Sequence, residues 1–201
     1  MNKNSIAVVI LAAGFSTRMG KHKSLLMFDK KKRFIQQVVE VYKNCGMGKI
    51  LIVANCNNIE KISSLFPKGD FEDLTIVLNE HPEYERFYSL KQGLKKIEGF
   101  KACFIQSCDN PFVNEELIFS IMNEFILGHV VIPSYLNRKG HPILLCRSLI
   151  EDVLKIERND CTLRDVLREY PSKLVLVTDE KILVNINTWE EYGEYFSSII
   201  F

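Results

Sequence analysis

The run Ile6-Ala7-Val8-Val9-Ile10-Leu11-Ala12-Ala13-Gly14-Phe15-Ser16-Thr17-Arg18-Met19-Gly20-Lys21-His22-Lys23 sets how the rest of the chain reads. Its apolar part, Ile6 to Leu11, gives way to small residues, a glycine and then basic side chains. That order predicts a buried parallel strand feeding a backbone-rich loop that binds anions. Ala12, Ala13 and Gly14 carry almost no side chain, so a flat base or a ribose can approach the main chain from Leu11 onward, and Gly14 is free to adopt positive φ. Ser16 and Thr17 offer hydroxyls or a turn cap, and the loop N–H groups suit an anion-binding nest. Arg18 supplies a planar fork for phosphate oxygens. Lys23 supplies a compact ammonium that can follow charge as it develops on a phosphoryl group.

Two better-known phosphate loops do not fit. The Walker pattern places four residues between its glycines and then Lys-Ser or Lys-Thr, whereas Gly14 and Gly20 enclose five and Lys21-His22 follows. The dinucleotide fingerprint needs Gly-x-Gly-x-x-Gly directly after the strand, and that triple is absent.

A length of 201 residues, 47% of them hydrophobic, suits one well-filled core, so a single domain over 1–201 is expected. Residues 1–50 hold ten Lys and Arg against Asp29 and Glu40, in a chain whose formal net charge is only +1. A basic N-terminal quarter suits a polyanionic small molecule at the first loop, and the near-neutral whole speaks against a nucleic-acid partner. Lys30-Lys31-Lys32-Arg33 itself reads as a solvated face. The six cysteines form no Cys-x-x-Cys pair and mostly lie in or beside apolar runs, as reduced core residues do. No signal-peptide pattern and no apolar run of membrane-spanning length occur, so no membrane role and a cytoplasmic location are expected.

Along the chain, Leu25-Leu26-Met27-Phe28 is a short apolar element, and Arg33–Asn44 carries a helical apolar stripe. Strands are expected at 49–54 and 74–78 around a helix at 59–66. This β-α-β-α-β alternation predicts a mostly parallel sheet with helices on both faces, a three-layer Rossmann-like α/β arrangement whose ligands gather at the carboxyl ends of the strands. In Lys101–Phe112 a further strand ends in polar residues, where Asp109 can hold Mg²⁺ against a triphosphate. An Asx-turn opening a helix over 114–127 is the other use for that aspartate. Strands are also expected at 130–133, 143–146, 174–178 and 182–186.

The first loop resembles the Leu-Ala-Ala-Gly-x-Ser-x-Arg-Met-Gly-x-x-Lys signature of the MobA-like nucleotidyltransferases, in particular the molybdenum-cofactor cytidylyl- and guanylyltransferase group. Five later segments follow in family order. Asn79, Ser89, Leu90, Gly93 and Leu94 match the segment that meets the base and ribose, although Glu85-Arg86-Phe87 stands where the family has Gly-Met-Ser. Asp109-Asn110-Pro111 resembles the Asp-x-Pro metal motif. Gly140-His141-Pro142 resembles the Gly-His-Pro of the acceptor side, and Asn159-Asp160-Cys161-Thr162-Leu163-Arg164-Asp165 resembles a segment whose Arg faces the acceptor. Thr162 there also reads as a helix cap. The closing Val184-Asn185-Ile186-Asn187-Thr188 carries asparagines where the family has aspartates, one of which is its second metal ligand.

The resemblance implies a nucleotidyltransferase fold and an Mg²⁺-dependent transfer of a nucleoside monophosphate from an NTP to a small phosphorylated acceptor, with pyrophosphate released. Lys23, Arg18 and Asp109 are then catalytic. Leu11, Ala12, Ala13, Gly14, Ser16, Arg18, Lys23, Asn79, Ser89 and Asp109 bind the nucleotide. Gly140, His141 and Arg164 meet the acceptor, and Asp109 with Asn185 or Asn187 meets the metal. Cytidylyl and uridylyl members carry Leu-Ala-Ala-Gly and guanylyl members Leu-Ala-Gly-Gly, so Ala13 implies a pyrimidine, CTP, with molybdopterin or molybdenum cofactor as acceptor. A molybdoenzyme receiving the product is the partner this implies. Two other readings stay open: a cytidylyl- or uridylyltransferase for a sugar or alcohol phosphate, and a non-catalytic nucleotide- or cofactor-binding chaperone of the same fold.

Overall fold

The structure is a computed structural model that describes residues 2–67, 69, 72–158 and 160–200; Asn159 lies outside the described residues. The strands are β1 (Ile6–Leu11), β2 (Lys49–Asn55), β3 (Leu74–Asn79), β4 (Ala102–Ser107), β5 (Val130–Tyr135), β6 (Arg138–Lys139), β7 (Ile143–Cys146) and β8 (Ser172–Leu176). The helices are α1 (Phe34–Asn44), α2 (Ile59–Ser63), α3 (Glu85–Leu94), α4 (Glu115–Asn123), α5 (Arg147–Lys155), α6 (Leu163–Leu167) and α7 (Trp189–Ile200). One sheet runs β3-β2-β1-β4-β7-β5-β6, with β8 parallel to β5. β1 to β4 are mutually parallel, and β7 turns antiparallel between β4 and β5. The expected mostly parallel α/β sheet is therefore the one found.

Every residue of β1 and β4 is buried. Side chains alternate across a strand, so such burial requires cover on both faces. Ile6, Val8 and Ile10 pack on one side with Val38, Tyr42, Ile62 and Ile118 of α1, α2 and α4. Ala7, Val9 and Leu11 pack on the other with Leu90, Leu94, Ile150 and Val153 of α3 and α5. Gly93 is what lets α3 lie this close, since a Cβ there would come within 2.6 Å of Val9 Cγ1 and 3.0 Å of Val53 Cγ2. A third cluster, Met19, Phe34, Tyr192 and Phe196 with Phe28 and Phe112 against it, joins α7 to the first loop.

Register brings the strand ends together. Leu11 pairs with Ser107 and with Val53, and Asn55 pairs with Asn79, so the carboxyl ends of β1 to β4 share one edge. This is where a parallel sheet is expected to bind its ligands.

Three expectations need correction. Residues 182–186 form no strand: Glu180–Leu183 is a 3-10 turn. Its carbonyls are bonded from elsewhere, because Asn110 Nδ2 donates to Lys181, Ile182 and Val184 oxygens and His141 N donates to Ile182 O. The helix expected over 114–127 ends at Asn123, and its cap is Asn114, whose side chain accepts from Leu117 N. Asp109 is thereby released from the helix-opening role. Among the cysteines, Cys56 is exposed and Cys161 half-buried, while Cys45, Cys103, Cys108 and Cys146 are core residues. No helix among the described residues is long and apolar enough to cross a membrane.

Candidate functional site

The first loop is held by side chains at and just past the end of β2. Asn58 Nδ2 donates to Ala12 O and Asn55 Nδ2 to Ala13 O, each at 2.8 Å, while Asn58 Oδ1 and Asn55 Oδ1 accept from the N–H groups of Asn55 and Asn57. A trans peptide points its N–H opposite to its C=O. Anchoring these two carbonyls therefore turns the N–H groups of Ala13 and Gly14 the other way, and both residues line a cavity of about 180 Å³. Further along, Ser16 at φ 53° and Gly20 at φ 61° are left-handed, and Gly14 is not. Ser16 Oγ accepts from Lys23 N at 3.2 Å and closes the loop on itself.

Lys23 stands at the start of a 3-10 turn, Lys23–Leu25. Its ammonium donates to Asp109 Oδ2 at 3.2 Å and to Asn187 Oδ1 at 2.6 Å. Asp109 Oδ1 accepts from the Ser107 hydroxyl. Burial raises the Asp109 carboxyl, but the Ser107 hydrogen bond and the charges of Lys23 and Arg86 outweigh it and hold the group below its usual range. Asp109 is therefore an anion at neutral pH. Asn187 is fixed in turn: Nδ2 donates to Asn185 O at 3.0 Å, and its backbone N–H donates to Glu191 Oε2. Asn185 Oδ1 is buried without a partner.

Most residues expected at the nucleotide are brought to one place: Leu11, Ala12, Ala13, Gly14, Ser16, Lys23, Ser89 and Asp109 all line the cavity. Asn79 does not. It is fully buried and donates to Ser89 Oγ at 2.8 Å, so it supports the wall rather than forming it. Ser89 Oγ in turn donates to Glu85 O one turn back within α3. Arg18 is exposed on the loop, outside the cavity lining. On the expected acceptor side, Gly140 packs against Ile182, where a Cβ would meet Ile182 O at 2.6 Å. His141 is half-buried with Nδ1 unpartnered; burial, then the Arg86 charge, push its pKa down to about 4 against the pull of Asp109. It offers a hydrogen bond but no positive charge to an anion. Arg164 is exposed on α6 and not among the cavity residues, while Thr162 caps that helix by accepting from Asp165 N.

Sequence reasoning missed Asn55 and Asn58, whose only signal was two asparagines just past a strand. It also missed Arg86, Ser107 and the chain's single tryptophan, Trp189, whose Nε1 donates to Met19 O at 3.0 Å. As for a metal, the described residues hold no group of three or more His, Cys, Asp and Glu. The available donors are hard oxygens, the Asp109 carboxylate with the amide oxygens of Asn187 and Asn185.

The family model for the MobA-like NTP transferase domain matches residues 8–174. A relative from Campylobacter jejuni named molybdenum cofactor guanylyltransferase is 26% identical over 203 residues, covering 99% of this chain and 100% of its own. Among solved structures, a nucleotidyl transferase from Methanothermobacter superposes with TM-score 0.78 at 19% identity, covering 97% of both chains. The 4-diphosphocytidyl-2C-methyl-D-erythritol synthase of Anaerococcus prevotii superposes with TM-score 0.76 at 15% identity, covering 98% of both.

Proposed function

We propose a reaction from one premise, that the chain belongs to the MobA-like NTP transferase family. It transfers a nucleoside monophosphate from an NTP to a phosphorylated acceptor, a molybdopterin-type cofactor, and releases pyrophosphate. The observation that carries this reading is the meeting of Lys23, Asp109 and Asn187 where the first loop closes.

In the proposed step an acceptor phosphate oxygen attacks the α-phosphorus in line. The new P–O bond forms as the bond to the β-phosphate oxygen breaks, and pyrophosphate leaves with the electron pair. Such a transfer asks little covalent chemistry of the protein, so orientation and charge neutralisation account for most of the rate. Lys23 stands at the site with two of its three ammonium protons on Asp109 and Asn187, which leaves one for a phosphoryl oxygen. The Ala13 and Gly14 N–H groups offer donors to phosphate oxygens. At about 180 Å³ the cavity is smaller than the roughly 300–1,000 Å³ of typical ligand pockets, so the triphosphate extends over the exposed loop, where Arg18 meets its outer oxygens.

Mg²⁺ commonly uses one or two carboxylates plus substrate phosphates and water, and one carboxylate with amide oxygens fits that habit. Asp109 with Asn187 or Asn185 would hold it, and when bound it would neutralise phosphate charge. The acceptor class rests on the name of the Campylobacter relative, which favours GTP over the CTP implied by Ala13. A second reading keeps CTP, because the side chain at Ala13 occupies space that a glycine would leave to a purine.

The test is pyrophosphate release with Mg²⁺ and each of GTP, CTP, UTP and ATP, with and without molybdenum cofactor. We expect release only with cofactor present and with one base strongly preferred; GTP establishes the guanylyl reading and CTP the cytidylyl one. Release with a sugar or alcohol phosphate alone would move the acceptor, and nucleotide binding without release under every acceptor would leave a binding module. A molybdoenzyme taking over the product belongs to the same proposal.

A further inference from the structure

Resting on the nucleotidyltransferase reading, we propose that Arg86 is a phosphate-holding residue of this chain, gripping the phosphate groups of the bound nucleotide from the cavity wall opposite in sequence to the first loop. Arg86 lines the cavity with Leu11 to Gly14, Ser16, Lys23 and Asp109. Two cations stand in that lining. Lys23 has two of its three ammonium protons on Asp109 and Asn187, whereas no hydrogen bond or ion pair holds any part of the Arg86 guanidinium among the described residues. An anion entering this space needs a charge-bearing donor that is still unspent, and a guanidinium presents two parallel N–H groups matched to phosphate oxygens.

Three further observations agree. The charge of Arg86 reaches the centre of the site, since it lowers the Asp109 carboxyl, the Cys108 thiol and the His141 ring. Ser24 lines the same cavity, is 1% exposed and leaves its hydroxyl without a partner, as a wall built for a polar ligand would. The backbone aiming Arg86 is strained: Glu85 has φ 65° and ψ −168°, a region held almost only by glycine and retained where surrounding structure demands it. That turn leads from the Pro82–Tyr84 3-10 turn into α3 with both Glu85 and Arg86 on the cavity. Glu85 and Asp109 are the opposing charges in the wall, but among the described residues neither makes an ion pair with Arg86, so the guanidinium stays available.

The experiment is calorimetric binding of inorganic pyrophosphate, GTP, CTP and the nucleosides guanosine and cytidine to wild-type protein, Arg86→Ala and Arg86→Lys. Arg86 is exposed, and thermal melting checks that each variant folds. Arg86→Ala should weaken pyrophosphate and the preferred NTP by about tenfold or more, the loss expected for a charge-assisted contact. Nucleoside binding should not change, and Arg86→Lys should recover part of the loss. Equal pyrophosphate affinity in wild type and Arg86→Ala overturns this inference alone, as does an equal loss for nucleosides. A wild-type protein that binds neither pyrophosphate nor any NTP overturns the nucleotidyltransferase reading, and this inference with it.

Discussion

Asn187 is one of two asparagines that stand where the family resemblance puts aspartates, one of them a metal ligand, and its Oδ1 takes the Lys23 ammonium at 2.6 Å. An amide brings an oxygen without charge, so a divalent ion gains less from Asn187 than it would from a carboxylate. Asn187→Asp adds a carboxylate beside Asp109, and the Mg²⁺ concentration for half-maximal pyrophosphate release should fall roughly tenfold, about 1.4 kcal/mol. A requirement that is unchanged or higher would leave Asn187 as a holder of Lys23. His141 carries a second prediction at this scale. Its pKa is pushed down to about 4 in the folded protein against 6.5 for the free ring, chiefly by burial. Between those values the unfolded chain binds more protons, so stability present above pH 6.5 is lost as pH falls toward 4. The ring is only partly buried, which discounts the loss to on the order of 2 kcal/mol. His141→Gln should flatten that part of the pH-stability curve in denaturant titrations; an identical slope in both proteins would remove His141 as the cause.

Among the elements, α7 does what its position at the end of the chain conceals. Thr188 and Glu191 cap its start, with Glu191 Oε2 accepting from the N–H groups of Asn187 and Thr188. Trp189 then reaches Met19 O and Tyr192 OH reaches Met27 O at 2.8 Å, so the helix holds the first loop on both sides of Lys23. Behind these bonds Tyr192 stacks on Phe196 at 5.0 Å and Phe34 tilts against both. Trp189→Phe keeps the ring and removes the hydrogen bond. It should lower Tm by about 2–4 °C, the equivalent of roughly 1 kcal/mol in a chain of this size. It should also raise the NTP KM several-fold with a smaller change in kcat. Helix α3 is the counterpart on the other side of the loop, seated on β1 and β2 through Gly93. Gly93→Ala should destabilise by about 1–3 kcal/mol in urea unfolding, because backbone and valine side chains must shift to admit one methyl.

Across the molecule, stability follows the sheet from its centre outward. β1 and β4 are buried along their whole length, whereas β8 exposes Leu174 and Leu176 at an edge. In native-state hydrogen exchange the amides of β1 and β4 should be the last to exchange and those of β8 among the first; the reverse order would contradict this layering. The sheet was legible in the sequence because burial on both faces writes itself as continuous apolar runs, and Ile6–Leu11 and Ala102–Ile105 are such runs. The first loop was legible for a related reason: small residues, hydroxyls and basic groups lie next to one another along the chain, so Ala12 to Lys23 displayed their chemistry before any folding. Residues 182–186 were misread because the run Ile182-Leu183-Val184 with Ile186 is as apolar as a short buried strand, while in the folded protein Asn110 and His141 take up carbonyls that a ladder would have used. By itself, then, the sequence determined most of the strands, several of the helices that cover them and the family, since hydrophobic transfer and backbone preference act over neighbouring residues. Only the tertiary structure decided which polar groups meet. Lys23 finds Asp109 86 positions away and Asn187 164 positions away, and Asn55, Asn58, Arg86 and Trp189 converge on the same loop. Such meetings depend on strand register and on which partner satisfies each buried donor and acceptor, and no local stretch of chain contains that information.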